Sequence, residues 1–305
     1  MAEPLVWLPF DPADLGEVPT GLRFQTVRPG RDALPESLAE VEFYVPPYQM
    51  GTVDPELFVR MRSLRVIQTL TAGVDNIRAL VPDHVVLCNG RGIHDSSTAE
   101  LALTLTLASL RGVPGLVRSQ DRGAWEPHWR PALADRCVLI VGYGQIGSAI
   151  EARLAPFEVD VVRVARTARE GVHPIGDLRG LLPDADVVIL IVPGTSETRG
   201  LFDAPALAAM KDDALLVNLS RGPVVDTDAL LAELTSGRLR AALDVTDPEP
   251  LPGDHPLWSA PNVLITPHVG GASSAMWPRA HRLVREQLVR FAAGEPLVNQ
   301  MTGDY

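Results

Sequence analysis

The sequence is poor in cysteine and in aromatic residues. Only 2 of its 305 residues are cysteine, and aromatic residues make up 5%. Two cysteines are too few for a disulfide framework, and Cys88 and Cys137 both lie in or beside apolar stretches that are typical of strands. Such positions favour buried free thiols, which fit the reducing cytoplasm. We therefore expect a cytoplasmic protein without a disulfide scaffold.

Long apolar runs are also missing. No stretch reaches the roughly 18 apolar residues that a membrane-spanning helix requires. Residues 1–4 include an acid and no base, and the apolar stretch 5–10 is short and contains a proline. A secretory signal needs a basic start followed by a longer apolar segment. The sequence therefore predicts neither a membrane span nor a signal peptide.

Positive charge is in short supply as well. There are 27 Lys and Arg residues against 38 Asp and Glu residues, which gives a formal net charge of −11. Proteins that bind nucleic acid phosphates usually carry a basic face. An anionic membrane surface would repel this chain for the same reason. Nucleic acid and membranes are therefore not expected as partners.

What the sequence does contain is an alternation of short strands and helices. Hydrophobic residues are 46% and charged residues 21%, as in globular proteins, and 305 residues suggest two domains. Alternating βα segments favour parallel sheets covered by helices. We predict an α/β fold of two Rossmann-like or flavodoxin-like domains with doubly wound parallel sheets and a cleft between them. Residues 1–96 and 274–305 are assigned to a substrate domain, and residues 97–273 to an inserted dinucleotide-binding domain.

Long segments are predicted near the domain boundaries. Residues 97–110 form an apolar helix that opens with the spacing of a capping box. Residues 112–136 are rich in Gly, Pro and Trp, and we predict an extended connection with Trp125 and Trp129 as anchors. Residues 275–291 are predicted as a second long helix, which leads the chain back to the first domain.

A glycine-rich segment carries the strongest functional signal. Apolar residues at 138–141 predict a buried parallel strand, and glycines with the spacing G-x-G-x-x-G follow at once, before a helix over 148–154. A dinucleotide site needs Gly142 for a tight turn, Gly144 for the approach of a pyrophosphate and Gly147 for close packing of the helix. The helix N-terminus offers N–H groups to the phosphates. The alternative is a turn that binds nothing, and the flanking elements favour the dinucleotide site.

The end of the next strand indicates which dinucleotide to expect. An NAD-binding fold has an Asp or Glu about 20 residues after the glycines, which binds the ribose hydroxyls. Residues 164–169 contain no acid and instead contain Arg166, Thr167 and Arg169. Arginine pairs with a 2′-phosphate, which a carboxylate would repel. We predict that NADP(H) is preferred over NAD(H); the alternative is that both arginines face solvent and NADH is used.

Three polar residues each follow a strand of the same predicted sheet: Arg221, Glu249 and His268. Open α/β sheets bind their ligands at these strand ends. Each alone could be structural or solvated, and Arg221 could simply pair with Asp226. Together they suggest hydride transfer to a carbonyl carbon. Arg221 would hold a carboxylate and polarise the carbonyl, and His268 would protonate its oxygen. Glu249 would orient the imidazole and favour its protonated form.

These motifs resemble those of the D-isomer-specific 2-hydroxyacid dehydrogenase family. The matching segments are Gly-Tyr-Gly-Gln-Ile-Gly at 142–147, Asn-Leu-Ser-Arg-Gly at 218–222, Asp244 with Glu249, Thr-Pro-His-Val-Gly-Gly at 266–271, the substrate loop at 69–75 and the tail at 298–303. Together with the cofactor preference argued above, the resemblance implies hydride transfer between NADPH and a small 2-keto acid such as glyoxylate or hydroxypyruvate. It implies catalytic roles for Arg221, Glu249 and His268, and backbone amides of Ala72, Gly73 and Val74 that hold the substrate carboxylate. It also implies a homodimer with the long connection at its interface. No metal site is predicted from the sequence.

The motifs and the resemblance together predict the cofactor contacts. The predicted residues are Thr98, Gly142, Gly144, Gln145, Ile146, Gly147, Arg166, Thr167, Arg169, Val192, Pro193, Thr198, Leu219, Ser220, Asp244 and Gly270.

One segment departs from the family pattern, and two other functions are alternatives to keto acid reduction. His94 stands where the family usually has an amide, so either a substrate contact or a structural role is possible for it. Residues 44–50 and Trp277 are candidates for the substrate pocket. Formate oxidation is disfavoured, because members that resemble formate dehydrogenases have an amide in place of Glu249. An NAD(P)H-binding sensor or scaffold without turnover is the other alternative, although it would not need the proton donor His268.

Overall fold

In the computed structural model the chain divides into two compact units, Met1–His94 with Ser274–Tyr305, and Asp95–Ser273. The structure describes residues 3–48 and 54–302. Sequence analysis placed the boundary after Ser96. The structure places it after His94, because the helix that starts the second unit begins at Asp95.

The first unit contains a five-stranded sheet in which every strand pair is parallel. Its strands are β1 (Leu5–Leu8), β2 (Arg23–Thr26), β3 (Val41–Tyr44), β4 (Val66–Gln68) and β5 (Val86–Cys88). The spatial order is β2-β1-β3-β4-β5. All four residues of β1 are buried, and because successive side chains of a strand point to opposite faces, both faces of the sheet are covered.

The two faces of this sheet pack against different helices. Trp7 and Tyr44 lie on one face with Phe58 of helix α1 (Pro55–Arg60). The Asp54 carboxylate accepts a hydrogen bond from the amide of residue 56 at 3.0 Å and caps this helix, as the sequence predicted. The opposite face, which includes Val6, packs against a long C-terminal helix.

That C-terminal helix is α8 (Met276–Ala293), and it buries the predicted apolar stripe. The buried stripe consists of Ala280, Val284, Leu288 and Phe291. Sequence analysis did not predict the role of Gln287, which is fully buried on the same helix. Its amide nitrogen donates to Gln68 Oε1 at 2.6 Å and to the carbonyl oxygen of Val298 at 2.8 Å. One amide therefore links the helix, the sheet and the C-terminal tail.

The second unit contains a seven-stranded parallel sheet. Its strands are β6 (Cys137–Val141), β7 (Asp160–Ala165), β8 (His173–Pro174), β9 (Val187–Leu190), β10 (Leu215–Asn218), β11 (Arg240–Leu243) and β12 (Val263–Ile265). The spatial order is β12-β11-β10-β9-β6-β7-β8. The sequence predicted six of these strands. It missed β8, because this edge strand has two residues and no apolar run.

The order in which successive strands are added to the sheet reverses between β6 and β9. Chain order runs from β6 through β7 to β8 on one side, and from β9 through β10 and β11 to β12 on the other. Open α/β sheets bind ligands outside the carboxyl ends of the strands at such a reversal. Gly142 follows β6 and Ile191 follows β9, so the glycine turn lies at this point.

Helices cover both faces of the second sheet. They are α2 (Asp95–Leu110), α4 (Gln145–Leu154), α5 (Leu178–Leu181), α6 (Ala204–Ala209) and α7 (Thr227–Thr235), while α3 (Val113–Asp121) follows α2 outside the cores on these two faces. Helix α6 was not predicted. Ser97 lies inside α2 rather than capping it, and its hydroxyl lies 2.6 Å from that of Ser273.

The segment 112–136 differs from its prediction in two ways. Helix α3 occupies residues 113–121, so only the rest of the segment is extended. Trp125 and Trp129 are 95% and 101% exposed, so they do not anchor the segment within this chain. Among the described residues, no single helix is long and apolar enough to span a membrane, and α2 with α3 would meet that test only as a pair bent by 66°.

Candidate active site

Two close backbone approaches shape the glycine turn between β6 and α4. Gly142 has a φ angle of +107°, and a Cβ atom there would lie 2.5 Å from the carbonyl oxygen of Ile191. A Cβ atom at Gly147 would lie 2.4 Å from the carbonyl oxygen of Gly142. Because both neighbours are backbone atoms of the strand and the turn, these two positions require glycine.

Gly144 faces open space instead. A Cβ atom there would meet nothing within 4 Å, and no side chain caps helix α4, which begins at the next residue. Gln145 and Ile146, two further predicted cofactor contacts, form the first turn of this helix. Uncapped amides beside an open glycine are the arrangement that a pyrophosphate needs.

The end of β7 brings two arginines beside the glycine turn. The amide of Tyr143 donates to the carbonyl oxygen of Val164 at 3.0 Å, which ties the turn to this strand. The guanidinium of Arg169 donates to the carbonyl oxygen of Tyr143 and lies 5.5 Å from the centre of its ring. Arg166 and Thr167 are exposed on the same loop. The loop therefore presents cationic groups next to the turn.

Three predicted cofactor contacts follow β9. Val192 is 8% exposed and comes directly after the residue that approaches Gly142. The hydroxyl of Thr198 donates to the carbonyl oxygen of Pro193 at 2.6 Å. A hydrogen bond within the loop after β9 therefore fixes the shape of this loop beside the glycine turn.

Other predicted contacts follow β10 or lie on α2. Leu219 and Ser220 are buried, and the Ser220 hydroxyl donates to Asn218 Oδ1 at 2.5 Å. On α2, the hydroxyl of Thr98 donates to the carbonyl oxygen of Gly270 at 3.3 Å. These side chains hold the loops at the carboxyl ends of the strands in place.

Arg221 lies on the loop that follows β10. Its carbonyl oxygen accepts a hydrogen bond from Asn218 Nδ2 at 3.1 Å, and its guanidinium donates to the carbonyl oxygen of Ser220 at 2.8 Å. Asp226, the partner considered for Arg221 in the sequence analysis, accepts a hydrogen bond from the amide of Ala229 at 3.0 Å and caps α7.

Gly222 brings the Arg221 loop against the loop that follows β11. A Cβ atom at Gly222 would lie 1.9 Å from the carbonyl oxygen of Thr246, so the two backbones are in direct contact. Glu249 lies on the second loop, three residues after Thr246. Only glycine permits this approach, which is why Arg221 and Glu249 can serve one site.

A buried aspartate holds the turn that carries His268. The Asp244 carboxylate is 3% exposed and accepts hydrogen bonds from the Thr266 hydroxyl at 2.6 Å, the Val269 amide at 2.9 Å and the Gly270 amide at 2.8 Å. The amide of His268 donates to the carbonyl oxygen of Asp244 at 2.8 Å. His268 has a φ angle of +52°, a left-handed conformation that this network stabilises. Asp244 therefore positions the histidine.

His268 and Glu249 form a hydrogen-bonded pair, with 2.5 Å between His268 Nδ1 and Glu249 Oε1. The hydrogen bond to Glu249 raises the pKa of His268 above its ordinary value, although burial and the charge of Arg221 oppose this. Burial disfavours the charged form of Glu249, but the hydrogen bond and charge of His268 outweigh it and lower the pKa of Glu249. The pair thus favours an imidazolium whose Nε2–H points away from the carboxylate.

The predicted substrate loop lies in the first unit, after β4. The carbonyl oxygens of residues 70, 71 and 72 lie within 2.9 Å of His94 Nε2, the Gly90 amide and Asn89 Nδ2. Within the described part of the chain, the amides of Ala72 and Gly73 donate to no protein oxygen. The third predicted residue, Val74, is buried. The loop thus has its oxygens engaged and two N–H groups free for an anion.

His94 contacts this loop and packs against Tyr48, with 5.4 Å between the ring centres. Tyr44, the first residue of the candidate pocket segment, is fully buried in the core of the first unit, so its side chain does not line a pocket. Residues 49 and 50 of that segment lie outside the described residues, as does Gly303 of the predicted tail.

Comparison with known proteins identifies the family. The chain matches the model of the D-isomer specific 2-hydroxyacid dehydrogenase NAD binding domain over residues 103–270. It is 35% identical over 266 residues to a glyoxylate reductase of Korarchaeum cryptofilum, which covers 81% of this chain and 80% of the relative. The chain belongs to the D-isomer specific 2-hydroxyacid dehydrogenase family.

Solved structures of similar dehydrogenases match nearly the whole chain. A D-isomer specific 2-hydroxyacid dehydrogenase from Xanthobacter autotrophicus Py2, in complex with NADPH and MES, is 31% identical with a TM-score of 0.83, and the match covers 99% of this chain and 98% of that one. An NADPH-dependent glyoxylate/hydroxypyruvate reductase from Sinorhizobium meliloti, in complex with NADP and malonate, is 28% identical with a TM-score of 0.81, covering 98% and 97%. The predicted family, the two parallel α/β domains and an NAD(P)-dependent 2-hydroxyacid oxidoreductase activity are confirmed.

In this 2-hydroxyacid dehydrogenase, a polar cluster that the sequence did not predict lies beside the glycine turn. The hydroxyl of Tyr143 and the guanidinium of Arg163 both donate to the carboxylate of Glu151. Tyr143 is a variable position of the glycine motif, Glu151 lies on α4 and Arg163 lies on β7. No spacing rule pairs a helix residue with a strand residue, so only the tyrosine in the motif could have drawn attention to this cluster.

Proposed function

We propose that this dehydrogenase transfers a hydride from NADPH to a small 2-keto acid such as glyoxylate or hydroxypyruvate. The observation that carries the proposal is the hydrogen bond between His268 and Glu249, whose loop is in direct contact with the Arg221 loop. A proton donor, its charge partner and a guanidinium are the groups that reduction of a 2-keto acid requires. The glyoxylate reductase and the glyoxylate/hydroxypyruvate reductase among its relatives support the substrate class.

The glycine turn and the loops around it fit a nicotinamide dinucleotide. The open space at Gly144 and the uncapped start of α4 suit the pyrophosphate. Arg166 and Arg169 suit a phosphate on the adenosine ribose, and the loops after β9 and β10 would hold the rest of the cofactor. When bound, the nicotinamide supplies the hydride that the carbonyl carbon accepts.

The chain's own residues then handle the carboxylate, the oxygen and the proton. In the first unit, the amides of Ala72 and Gly73 offer N–H groups to an anion. Arg221 would hold the substrate carboxylate and stabilise the negative charge that develops on the carbonyl oxygen. His268 would donate the Nε2 proton to that oxygen, which completes the hydroxyl of the product. Glu249 keeps the imidazole protonated and fixes its orientation through Nδ1.

The experiment is to follow the loss of NADPH absorbance with a panel of 2-keto acids. We expect turnover of at least one small member, such as glyoxylate or hydroxypyruvate. Tight cofactor binding without turnover of any member would contradict the proposal and would favour the sensor. Turnover of large 2-keto acids alone would contradict the substrate size.

The NADPH preference rests on a separate observation. Arg166 and Arg169 lie on the loop after β7, where an NAD-binding chain has an acid, and two similar structures were solved with NADPH or NADP. We expect a higher kcat/KM with NADPH than with NADH at the same keto acid concentration. An equal or higher kcat/KM with NADH would contradict the preference.

We also propose a homodimer that uses the segment 112–136. This segment exposes apolar side chains that a soluble surface rarely carries together: Val113, Leu116, Val117, Trp125 and Trp129. Light scattering after gel filtration should give twice the mass of the chain, and the double variant L116E/V117E should give one chain. The matched control V289E changes an exposed valine of α8 and should remain dimeric. A monomeric wild-type protein would contradict the proposal.

Cytoplasmic location is proposed from the thiols. Both cysteines are free, and burial raises the pKa of the Cys88 thiol to about 11. Cys137 is only partly buried, so the prediction of buried free thiols is wrong for this cysteine. Fractionation of the source cells with an activity assay would test the location.

A further inference from the structure

The cluster around Tyr143 takes no part in the chemistry at His268. Glu151 on α4 accepts hydrogen bonds from the Tyr143 hydroxyl and from two nitrogens of Arg163, with Arg163 Nε at 2.8 Å. The guanidinium carbons of Arg163 and Arg169 lie 5.7 and 5.5 Å from the centre of the Tyr143 ring. One ring therefore contacts two cations, and one carboxylate neutralises only the first of them.

Arg163 forms an ion pair with Glu151. Its side chain is 32% exposed and that of Glu151 is 19% exposed, and the two form a forked ion pair. The hydrogen bond from Arg163 lowers the pKa of Glu151 even though burial opposes ionisation. The pair is therefore charged at neutral pH, and Arg163 has little capacity left to bind a phosphate.

Arg169 is held at its backbone and at its guanidinium. Its amide donates to the carbonyl oxygen of Val172 at 3.2 Å, and the Val172 amide donates back to Arg169 at 2.9 Å, which closes a tight turn. The guanidinium donates to the carbonyl oxygen of Tyr143. Within residues 3–48 and 54–302, no carboxylate forms an ion pair with Arg169. Its charge is thus available to an anionic ligand.

We propose that Tyr143, Glu151 and Arg163 form a brace that positions Arg169 for the 2′-phosphate of NADP. The inference rests on the proposed NADPH preference and names the residues behind it. An exposed arginine has many rotamers, and a phosphate that binds it must restrict them. The Tyr143 ring and carbonyl oxygen restrict Arg169 beforehand, and Glu151 fixes that ring through its hydroxyl. The three residues act through Arg169, so they are positioning residues.

Charge alone predicts the opposite role for Glu151. A carboxylate near a bound phosphate repels it, so a neutral residue at position 151 would strengthen phosphate binding. In the brace, the same change removes the charge that pairs with Arg163 and leaves one acceptor oxygen for the Tyr143 hydroxyl and two Arg163 nitrogens. Arg163 is then free to displace Arg169 from the ring. The sign of the effect of Glu151→Gln therefore separates the two explanations.

The experiment measures binding of two nucleotides that lack the nicotinamide, so it does not depend on turnover. Calorimetric titration of the full-length protein compares 2′,5′-ADP with 5′-ADP. We expect Y143L and E151Q to weaken 2′,5′-ADP binding about five- to twentyfold, the cost of ordering one long side chain, with 5′-ADP affinity within about twofold. Y143F keeps the ring, and its loss should stay below about threefold.

Two variants serve as controls. R169A removes the phosphate ligand itself and should abolish the preference for 2′,5′-ADP. R153Q removes a positive charge from the same helix as Glu151, where Arg153 donates to the carbonyl oxygen of Ala149 at 2.9 Å, and should leave the preference unchanged. Thermal unfolding of each variant checks that it is folded.

The possible results distinguish a failure of the brace proposal from a failure of the NADPH preference on which it rests. If R169A loses the preference while E151Q and Y143L keep or increase it, the brace is wrong and the NADPH preference stands. If the wild-type protein binds both nucleotides equally, the NADPH preference is wrong and the brace with it. If Y143L loses both nucleotides alike, Tyr143 supports the whole glycine turn, which also contradicts a phosphate-specific brace.

Discussion

The replacement of Asp244 by Asn tests how the turn that carries His268 is held. The buried carboxylate accepts hydrogen bonds from the Thr266 hydroxyl and from the amides of Val269 and Gly270, at 2.6, 2.9 and 2.8 Å. Asparagine has one acceptor oxygen in place of two. It would direct an N–H group at one of these donors and would leave that donor unpaired in the interior.

The magnitude follows from those three contacts. A hydrogen bond to a charged group contributes about 1.5–3 kcal/mol, so the loss of one bond and the weakening of two should cost about 2–4 kcal/mol in the free energy of unfolding. For a unit of this size the melting temperature should fall by about 5–15 °C. Because the same turn carries His268, kcat should fall roughly 10- to 100-fold through misplacement of the imidazole.

Urea denaturation followed by far-UV circular dichroism, together with steady-state kinetics, measures both effects. The matched control is Asp226→Asn, where an exposed carboxylate caps α7 through one hydrogen bond of 3.0 Å. Asparagine caps helices as well as aspartate does, so this control should change stability by less than about 0.5 kcal/mol. A D244N protein as stable and active as the control would refute the reasoning.

Three further outcomes are expected. His268→Asn should lower kcat by roughly 100-fold or more while 2′,5′-ADP affinity is unchanged, because it removes the proposed proton donor; near-normal turnover would rule out that role. For Glu249→Gln, the kcat/KM of keto acid reduction should fall at a lower pH than in the wild type. Reduction needs the protonated imidazole, which is lost as pH rises through the His268 pKa, and Glu249 is the main group that raises this pKa; an unshifted pH profile would contradict the pairing. Gly144→Ala should leave the melting temperature unchanged but weaken cofactor binding, because its Cβ meets only open space, whereas Gly147→Ala should destabilise the fold through its 2.4 Å backbone approach; equal effects on stability would contradict the distinction.

Much of the fold could be predicted from sequence because its signals are local. Apolar runs mark β6 and β9, the glycine spacing marks the turn to α4, and Asp54 marks the start of α1. The errors fall where the local signal is weak. The two-residue β8 exists only through its pairing with β7, and α3 begins after a left-handed Gly112 in a segment whose Gly and Pro content predicts an extended chain.

The sequence by itself determined that Arg221, Glu249 and His268 follow strands of one sheet, because strand ends can be read from hydropathy. Tertiary structure alone decided that Gly222 lets two of these loops touch, and that Asp244 holds the His268 turn. It also decided that Arg163 pairs with Glu151 and leaves Arg169 available. Sequence patterns report which face of a strand or helix a residue occupies. The partner of a side chain depends on the packing of elements that are distant in the chain, and only the folded backbone sets those distances.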